Sequence, residues 1–373
     1  IDLNIVSQSS PTGTQYLQAV GAGFALKMNK SNAVVYVSSG EGTTSQGDYH
    51  EALNWASREK APVIFHIENN GYAISVPLNE QISGGSVYKI SSGYENLARI
   101  NLDGSDYFQS VIAFEKAVDR ARKGHGPTVI ESNVVRLLPH SSSDDHRKYR
   151  TKEDLDEDLT KDPLTVFRNE CINKKLFKDS DFNNIHTAVD KEVNLSAEWA
   201  EEQNNPNAND ALKNIYAESQ KLMSDSESEG EKIVLVDAIN HALDEELSFN
   251  DKTVIYGQDI ADGKGGVFTA TKGLTTKHGK DRVFNAPLAE SSIIGTAIGM
   301  ATLGYKPIIE IQFGDYIWTS MMQIRNEVAT MRYRSNGKWD CPFVMRVPIG
   351  GYIHGALCHS QSIDGFFTHL PGI

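Results

Sequence analysis

Six short runs rich in β-branched residues, Ala33–Ser38, Val63–Glu68, Thr128–Ser132, Thr253–Tyr256, Ile308–Gln312 and Phe343–Val347, recur between amphipathic stretches. Runs this short and this apolar are the pattern of strands buried on both faces, as in a parallel sheet. The stretches between them have helical periodicity: Tyr49–Arg58 is one, and in Phe108–Lys123 the residues Phe108, Val111, Ile112, Ala117, Val118 and Ala121 share one face. Alternating strand and helix predicts an α/β fold with mainly parallel sheets flanked by helices. The rhythm breaks over about 180–231, where NNPNAND and SDSESEGE are polar and poor in β-branched residues. A polar linker is expected there, dividing residues 1–230 from 231–373. The same grammar on both sides predicts two similar α/β domains, and 373 residues suffice for two cores.

Thirty-six basic against 49 acidic residues give a formal charge of −13, which repels phosphate backbones and anionic lipid surfaces, so neither nucleic acid nor membrane is an expected partner. Gly, Lys and Pro interrupt the most apolar stretch, Ile293 to Ile311, below the length of a spanning helix. Three cysteines, Cys171, Cys341 and Cys358, have no metal-ligand spacing and no even-numbered framework, which points to a reducing, cytoplasmic setting. The first residues lack the basic start and apolar core of a signal peptide and open on Ile1 rather than Met, so an upstream segment is expected.

The most informative segment is VVYVSSGEGTTSQGDYHEALNWASREKAPVIFHIENNGYAISVP. A buried strand runs into Gly40-Glu41-Gly42, whose glycines allow backbone amides to approach a diphosphate, and a helix is entered near Asp48. After 26 intervening residues the next strand ends in Asn69-Asn70, so Glu41 and Asn70 are expected at the carboxyl ends of adjacent strands, where open α/β sheets bind ligands. A carboxylate, the Asn70 amide oxygen and the Tyr72 backbone carbonyl are hard donors suited to Mg2+ shared with substrate phosphates. A Gly-Glu-Gly turn with an exposed Glu is also common for purely structural reasons. The strand, the turn, the spacing and the paired Asn together are more specific.

With this combination the chain resembles thiamine diphosphate enzymes, and in particular the decarboxylating component of the branched-chain 2-oxo acid dehydrogenase family, whose α part carries GEG in place of the commoner GDG. SQSSPTGTQ resembles the same part's SSP-x-x-TQ segment. That resemblance implies that Ser10 and Thr12 touch the cofactor, and that Ser9, Pro11, Thr14 and Gln15 frame a monovalent cation, K+. On the residues alone, the segment reads equally as a Ser/Pro turn capping a helix that begins near Gln15. RLLPHSSSDDHRKYR resembles the family's phosphorylation loop, with Arg136 and His140 matching residues that meet the diphosphate or the reacting acid. Leu138-Pro139 stands where the family has Gly-His and stiffens the approach to His140.

The second half resembles the β part of the same enzymes from KIVLVDAINHALDEEL through PLAESSIIG and IIEIQFGDYIW to GALCHSQSIDGFFTHLPGI. The resemblance implies that Glu290 is the acid that activates the cofactor, that Gln312 and Tyr316 line its pyrimidine pocket beside Leu288, and that His359 serves proton or acyl transfer. A carboxyl hydrogen-bonded to the pyrimidine ring favours the imino tautomer that takes up the thiazolium proton, and burial at a helix N-terminus is expected to hold that carboxyl's proton in place. Without the resemblance, Glu290 reads as a helix-capping carboxylate and His359 as an ordinary surface histidine.

The α-like and β-like parts are separate chains in the family, so this chain is expected to be a fusion, acting as a homodimer or larger assembly. The implied activity is oxidative decarboxylation of a branched-chain 2-oxo acid with thiamine diphosphate and Mg2+, followed by reductive acylation of a lipoyl group on a partner acyltransferase. A pyruvate or acetoin enzyme of the same family remains open, as does a catalytically silent fragment, since the β part usually continues into a further domain.

Overall fold

The computed structural model describes residues 3–218 and 230–373. The front half runs α1 (Thr14–Met28), β1 (Val35–Gly40), a 3-10 turn over Glu41–Ser45, α2 (Gly47–Glu59) and β2 (Val63–Asn69). A small hairpin of β3 (Tyr72–Ala73) and β4 (Val76–Pro77) and two short helices, α3 (Leu78–Gln81) and α4 (Val87–Ile90), lead to β5 (Ala98–Asp103), α5 (Tyr107–Arg122) and β6 (Thr128–Asn133). Three helices come next: α6 (Lys152–Thr160), α7 (Pro163–Asn173) and α8 (Asp179–Glu201). The rear half runs α9 (Leu235–Phe249), β7 (Thr253–Gly257), α10 (Leu274–His278), β8 (Val283–Asn285), α11 (Glu290–Thr302) and β9 (Lys306–Glu310). It continues through a π-helical segment, Met322–Val328, to α12 (Met331–Arg334), β10 (Val344–Arg346) and α13 (Asp364–Phe367).

Each half contributes a four-stranded, wholly parallel sheet, ordered β1-β2-β6-β5 in front and β10-β9-β7-β8 behind. This is the α/β class with parallel sheets flanked by helices that the alternating pattern predicts. Within these two sheets, the strands without a sequence signal, β5 and β8, lie at edges. An edge strand is half solvated, so ARINLD has no continuous apolar run to announce it.

Two local expectations are corrected. The buried face of α5 is Ala113, Ala117 and Ala121, while Val111 and Ile112 point to solvent. Small residues four apart let the helix lie close on the sheet, and this outweighs the larger apolar side chains. The stretch expected as linker from residue 180 is helical through Glu201, because Ile185, Val189 and Val193 recur every four residues along one side of the helix. The acidic run from Ser224 to Glu229 lies outside the described residues.

The halves share one core. Tyr16, Leu17 and Val20 of α1, with Trp55 and Phe65, pack in the same apolar cluster as Val254, Ile293, Ala297 and Ile309. At its centre α1 crosses α11 so closely that a Cβ at Gly21 would fall 2.0 Å from the Thr296 carbonyl oxygen, and one at Gly299 would fall 1.9 Å from that of Gln18. The glycine spacing of α11 is thus a consequence of this crossing. Among the described residues no helix is long and apolar enough to cross a membrane.

Candidate active site

The parallel register sets Gly40 beside Glu68 and brings the ends of β1 and β2 together, as the Gly-Glu-Gly and Asn-Asn motifs require. Glu41 opens the 3-10 turn and is 1% exposed. Its Oε2 accepts the Asn70 amide N–H at 3.2 Å, whereas its Oε1 is buried with no hydrogen-bond partner. Burial pushes the Glu41 carboxyl above the ordinary range, against the Asn70 amide and the Arg136 charge that pull it down. An ion is the chemistry that would satisfy such an oxygen. The Asn70 side-chain carbonyl accepts the Tyr72 N–H at 3.0 Å and keeps a second lone pair. Among the described residues no cluster of three or more His, Cys, Asp or Glu could cage a metal. A divalent ion at Glu41, Asn70 and Tyr72 would therefore complete its oxygens from phosphate and water, as Mg2+ commonly does.

The glycines of this turn are explained locally by packing rather than by φ. Neither Gly40 nor Gly42 has positive φ. Gly42 is required because a Cβ there would lie 2.5 Å from that of Ala73, so the turn is pressed against the β3–β4 hairpin.

Arg136 reaches this corner from the end of β6. Its guanidinium donates to the Ile74 carbonyl and to the Tyr149 hydroxyl, both at 2.8 Å, and lies 5.4 Å from the Tyr72 ring centroid. Tyr149 in turn donates to Asp144 at 2.6 Å, and Asp144 accepts the His140 backbone N–H at 2.9 Å. Arg150, 8% exposed, pairs with Asp158 at 2.6 Å. The loop over 136–150 is therefore laced down on the Tyr72 side, with His140 left exposed beyond Pro139.

On the other side, Ser10 and Thr12 are both exposed in an irregular segment ahead of α1. Of the groups expected around a monovalent cation, the Ser9 and Thr14 hydroxyls both donate to Glu327, Thr14 at 2.9 Å. Gln15 bridges the Gly13 amide and the Ser38 carbonyl, and the Pro11 carbonyl lies 3.4 Å from the Thr14 hydroxyl. The hydroxyl oxygens keep lone pairs for an ion.

The rear half contributes Glu290 in the first turn of α11, where the helix dipole favours a carboxylate. Glu290 is half-buried rather than withdrawn from water, and it accepts from Gln258 at 3.1 Å. The same turn is tied to the front half, since Glu51 of α2 accepts both the N–H of Ser292 at 3.0 Å and its hydroxyl at 2.7 Å. Burial raises the Glu51 carboxyl, and Glu290 is among the charges that add to the shift. Helix α2, which starts beside the Glu41 turn, thus ends the front cradle against the Glu290 end of α11.

Tyr316 and His359 form one group, with the hydroxyl 2.6 Å from Nε2 and Phe313 edge-on to the imidazole at 4.9 Å. Gln312 is not aimed at that pair: its amide donates to Asp259 at 2.6 Å. Leu288 is 83% exposed, so the described residues build no pocket around it.

A cradle of oxygens at the ends of β1 and β2, joined by one helix to an acid at the head of α11, fits the sequence profile described as dehydrogenase E1 component, which matches residues 2–209. The chain belongs to the dehydrogenase E1 component family. Residues 231–373 match a second profile, the transketolase pyrimidine binding domain. As an E1 component the chain joins what its relatives divide. It is 37% identical over 213 residues to the 2-oxoisovalerate dehydrogenase subunit alpha of Bacillus subtilis, covering 57% of this chain and 64% of that one. It is 49% identical over 138 residues to the subunit beta of the same organism, covering 37% and 42%. The pyruvate dehydrogenase E1 component subunit beta of that organism is 40% identical over 142 residues, 38% of this chain and 43% of the relative. The chain thus spans less than two thirds of the length of each of these relatives.

Several residues of this E1 site carry no motif. Glu131, 1% exposed, accepts Asn69 at 2.8 Å, Val87 at 3.0 Å, and both Ser86 and Tyr88 at 2.8 Å, fixing the strand end that bears Asn70. Burial alone would raise its carboxyl, but these donors hold it below the ordinary range. Asp48 and Glu51 face α11 and Gln323 from α2 and look in sequence like a solvated helix face. Tyr149 and Arg150 are the YR pair of the loop motif, which is a usable signal.

Proposed function

We propose that this protein catalyses the oxidative decarboxylation of a 2-oxo acid of branched-chain type, with thiamine diphosphate and Mg2+, and passes the acyl group to the lipoyl domain of a partner acyltransferase. The single observation that carries the reading is the buried, unpartnered Oε1 of Glu41 at the parallel strand ends, a corner from which α2 runs to its Glu51–Ser292 hydrogen bond in the first turn of α11. Glu41, Asn70 and the Tyr72 carbonyl would hold Mg2+, and Ser9, Pro11, Thr14 and Gln15 would hold K+. Ser10, Thr12, Gly40, Gly42 and Arg136 would meet the diphosphate end, and Leu288, Gln312 and Tyr316 the pyrimidine end. When bound, thiamine diphosphate supplies the electron sink for loss of carbon dioxide. Glu290 holds a proton at the pyrimidine ring, Gln258 orients its carboxylate, and Arg136 offsets anionic charge near Glu41. His359, its ring held at Nε2 by the Tyr316 hydroxyl, keeps Nδ1 to move a proton at the reacting carbon, with the His140 ring available at the loop.

The relatives named 2-oxoisovalerate dehydrogenase, one for each half, support a branched-chain substrate, and three free thiols support a cytoplasmic setting. The exposure of Leu288 supports a homo-oligomer in which a second copy closes the pocket. The similarity to a pyruvate dehydrogenase subunit keeps pyruvate as the second reading. Calorimetric titration with thiamine diphosphate and Mg2+, followed by turnover of 2-oxoisovalerate and pyruvate with a lipoyl-domain acceptor, tests both readings. Absence of cofactor binding would sink the proposal, and preference for pyruvate would replace the substrate.

A further inference from the structure

Glu327 is the least expected charge in the molecule. It lies in the π-helical segment Met322–Val328 and is 1% exposed, and a carboxylate withdrawn that far from water is costly unless donors surround it. The donors come from both halves of the chain. Arg334 donates at 2.8 Å from the rear half, while Ser9 and Thr14 donate from the front half. Arg334 extends the grip with a second nitrogen, which donates to the Ser7 carbonyl at 2.7 Å, and its Nε is held by Thr330 at 2.8 Å. Gln323, on the same buried face of the π segment, donates to the Thr14 carbonyl at 3.0 Å. Gln323, Ile324 and Glu327, at the i, i+1 and i+4 positions, share the one buried face of this segment.

The segment from Ser7 to Gly13 has no helix or strand of its own. Its backbone is fixed at its start by Arg334, in the middle by Ser9 on Glu327, and at its end by Thr14 on Glu327 and Gln323. Gly13, at φ +96°, is pressed on Gln46, next to the Glu41 turn. The side chains of Ser10 and Thr12 stand between these anchors.

We propose that Glu327, paired with Arg334, is a positioning residue by which the rear half sets the loop carrying Ser10 and Thr12. The inference rests on the reading that this loop meets the diphosphate of thiamine diphosphate. It adds that the front half's grip on that cofactor is conditional on a side chain of the rear half that never touches it.

The test compares the full chain with E327Q, and with E327Q/R334M, in which no unpaired cation is left behind. In each, thiamine diphosphate affinity is read by calorimetry with Mg2+, turnover at saturating cofactor by lipoyl-domain acylation, and the amides of residues 8–14 by hydrogen exchange. Both variants are expected to bind the cofactor about tenfold to a hundredfold more weakly, the scale for losing a group that orients ligand-bearing side chains. Turnover at saturation should fall by only about threefold or less, the mark of lost binding rather than lost chemistry. Exchange over 8–14 should speed up in both. Unchanged affinity and exchange in folded E327Q overturns the inference, and so does recovery of both in E327Q/R334M, which would assign the defect to the stranded arginine. If the unaltered chain itself fails to bind the cofactor, the functional reading falls. The exchange data then decide the loop alone, with faster exchange supporting the anchor and unchanged exchange removing it.

Discussion

Glu41 shows how one side chain can cost the fold stability on its own and repay it once an ion binds. Its carboxyl is raised by burial, so the folded chain holds that proton more tightly than the unfolded chain does. This group therefore favours the fold most at or below about pH 4, the ordinary carboxylate range, and the contribution is lost as pH rises through its raised value. E41Q should accordingly melt at or above the unaltered protein at neutral pH without added ions. With Mg2+ and thiamine diphosphate present the order should reverse, because only the carboxylate gains the ion; scanning calorimetry under both conditions checks this. E290Q should leave cofactor affinity largely intact while proton exchange at the thiazolium carbon slows by about a hundredfold or more, the scale of acid–base assistance. Unchanged exchange, tracked by NMR, would remove Glu290 from the chemistry. Glu41, Asn70 and Glu290 are legible in the sequence because each sits in a short motif at a strand or helix end. Glu327 is not, since its partner Thr14 is 313 positions away and nothing local distinguishes a buried acid from a solvated one.

Among the elements, the crossing of α1 and α11 leaves no room for a methyl group. G299A should destabilise the fold by about 1–3 kcal/mol or more, the cost of forcing volume into a packed contact, and should weaken cofactor binding as Glu290 shifts with its helix. Thermal melting and calorimetry on one sample report both effects. T151A, at the N-cap of α6 where Thr151 and Asp154 form a capping box, should cost only about 1 kcal/mol, with little change in cofactor affinity. The elements themselves are legible in sequence wherever burial is two-sided. The apolar runs locate β2, β6 and β7 to within one residue of their ends, since each strand is buried on both faces over its first three residues and these are apolar or β-branched. β5 escapes because its edge position tolerates Arg99 and Asn101, and the face of α5 is misleading because three alanines pack where periodicity favours larger residues.

For the molecule as a whole, two sheets do not mean two independent folding units. The cluster that runs from Tyr16 to Leu370 contains α1, α2 and β2 of one half with β7, α11 and β9 of the other. The full chain should accordingly unfold in a single calorimetric transition, its van't Hoff and calorimetric enthalpies agreeing; two resolved transitions would contradict a common core. The sequence predicts two similar domains because the strand and helix grammar repeats, but periodicity says nothing about which helices face one another. Only glycines 21, 295 and 299 hint at the crossing, and a glycine in a helix also has duller explanations.

Helix α11 is buried on every side from Ser291 to Ala301, and the cover it shares with α1 is made late. A ribosome finishing α1 at Met28 has about 260 residues still to add before Glu290 appears. At roughly 5–20 residues per second that is an interval of about 15–50 s. Throughout it, the side of α1 that is not seated on Trp55 and Phe65, the glycine face destined for α11, stays bare. Yields in a cell should therefore track whatever holdase capacity is on hand during that interval more closely than they track the stability of the finished fold.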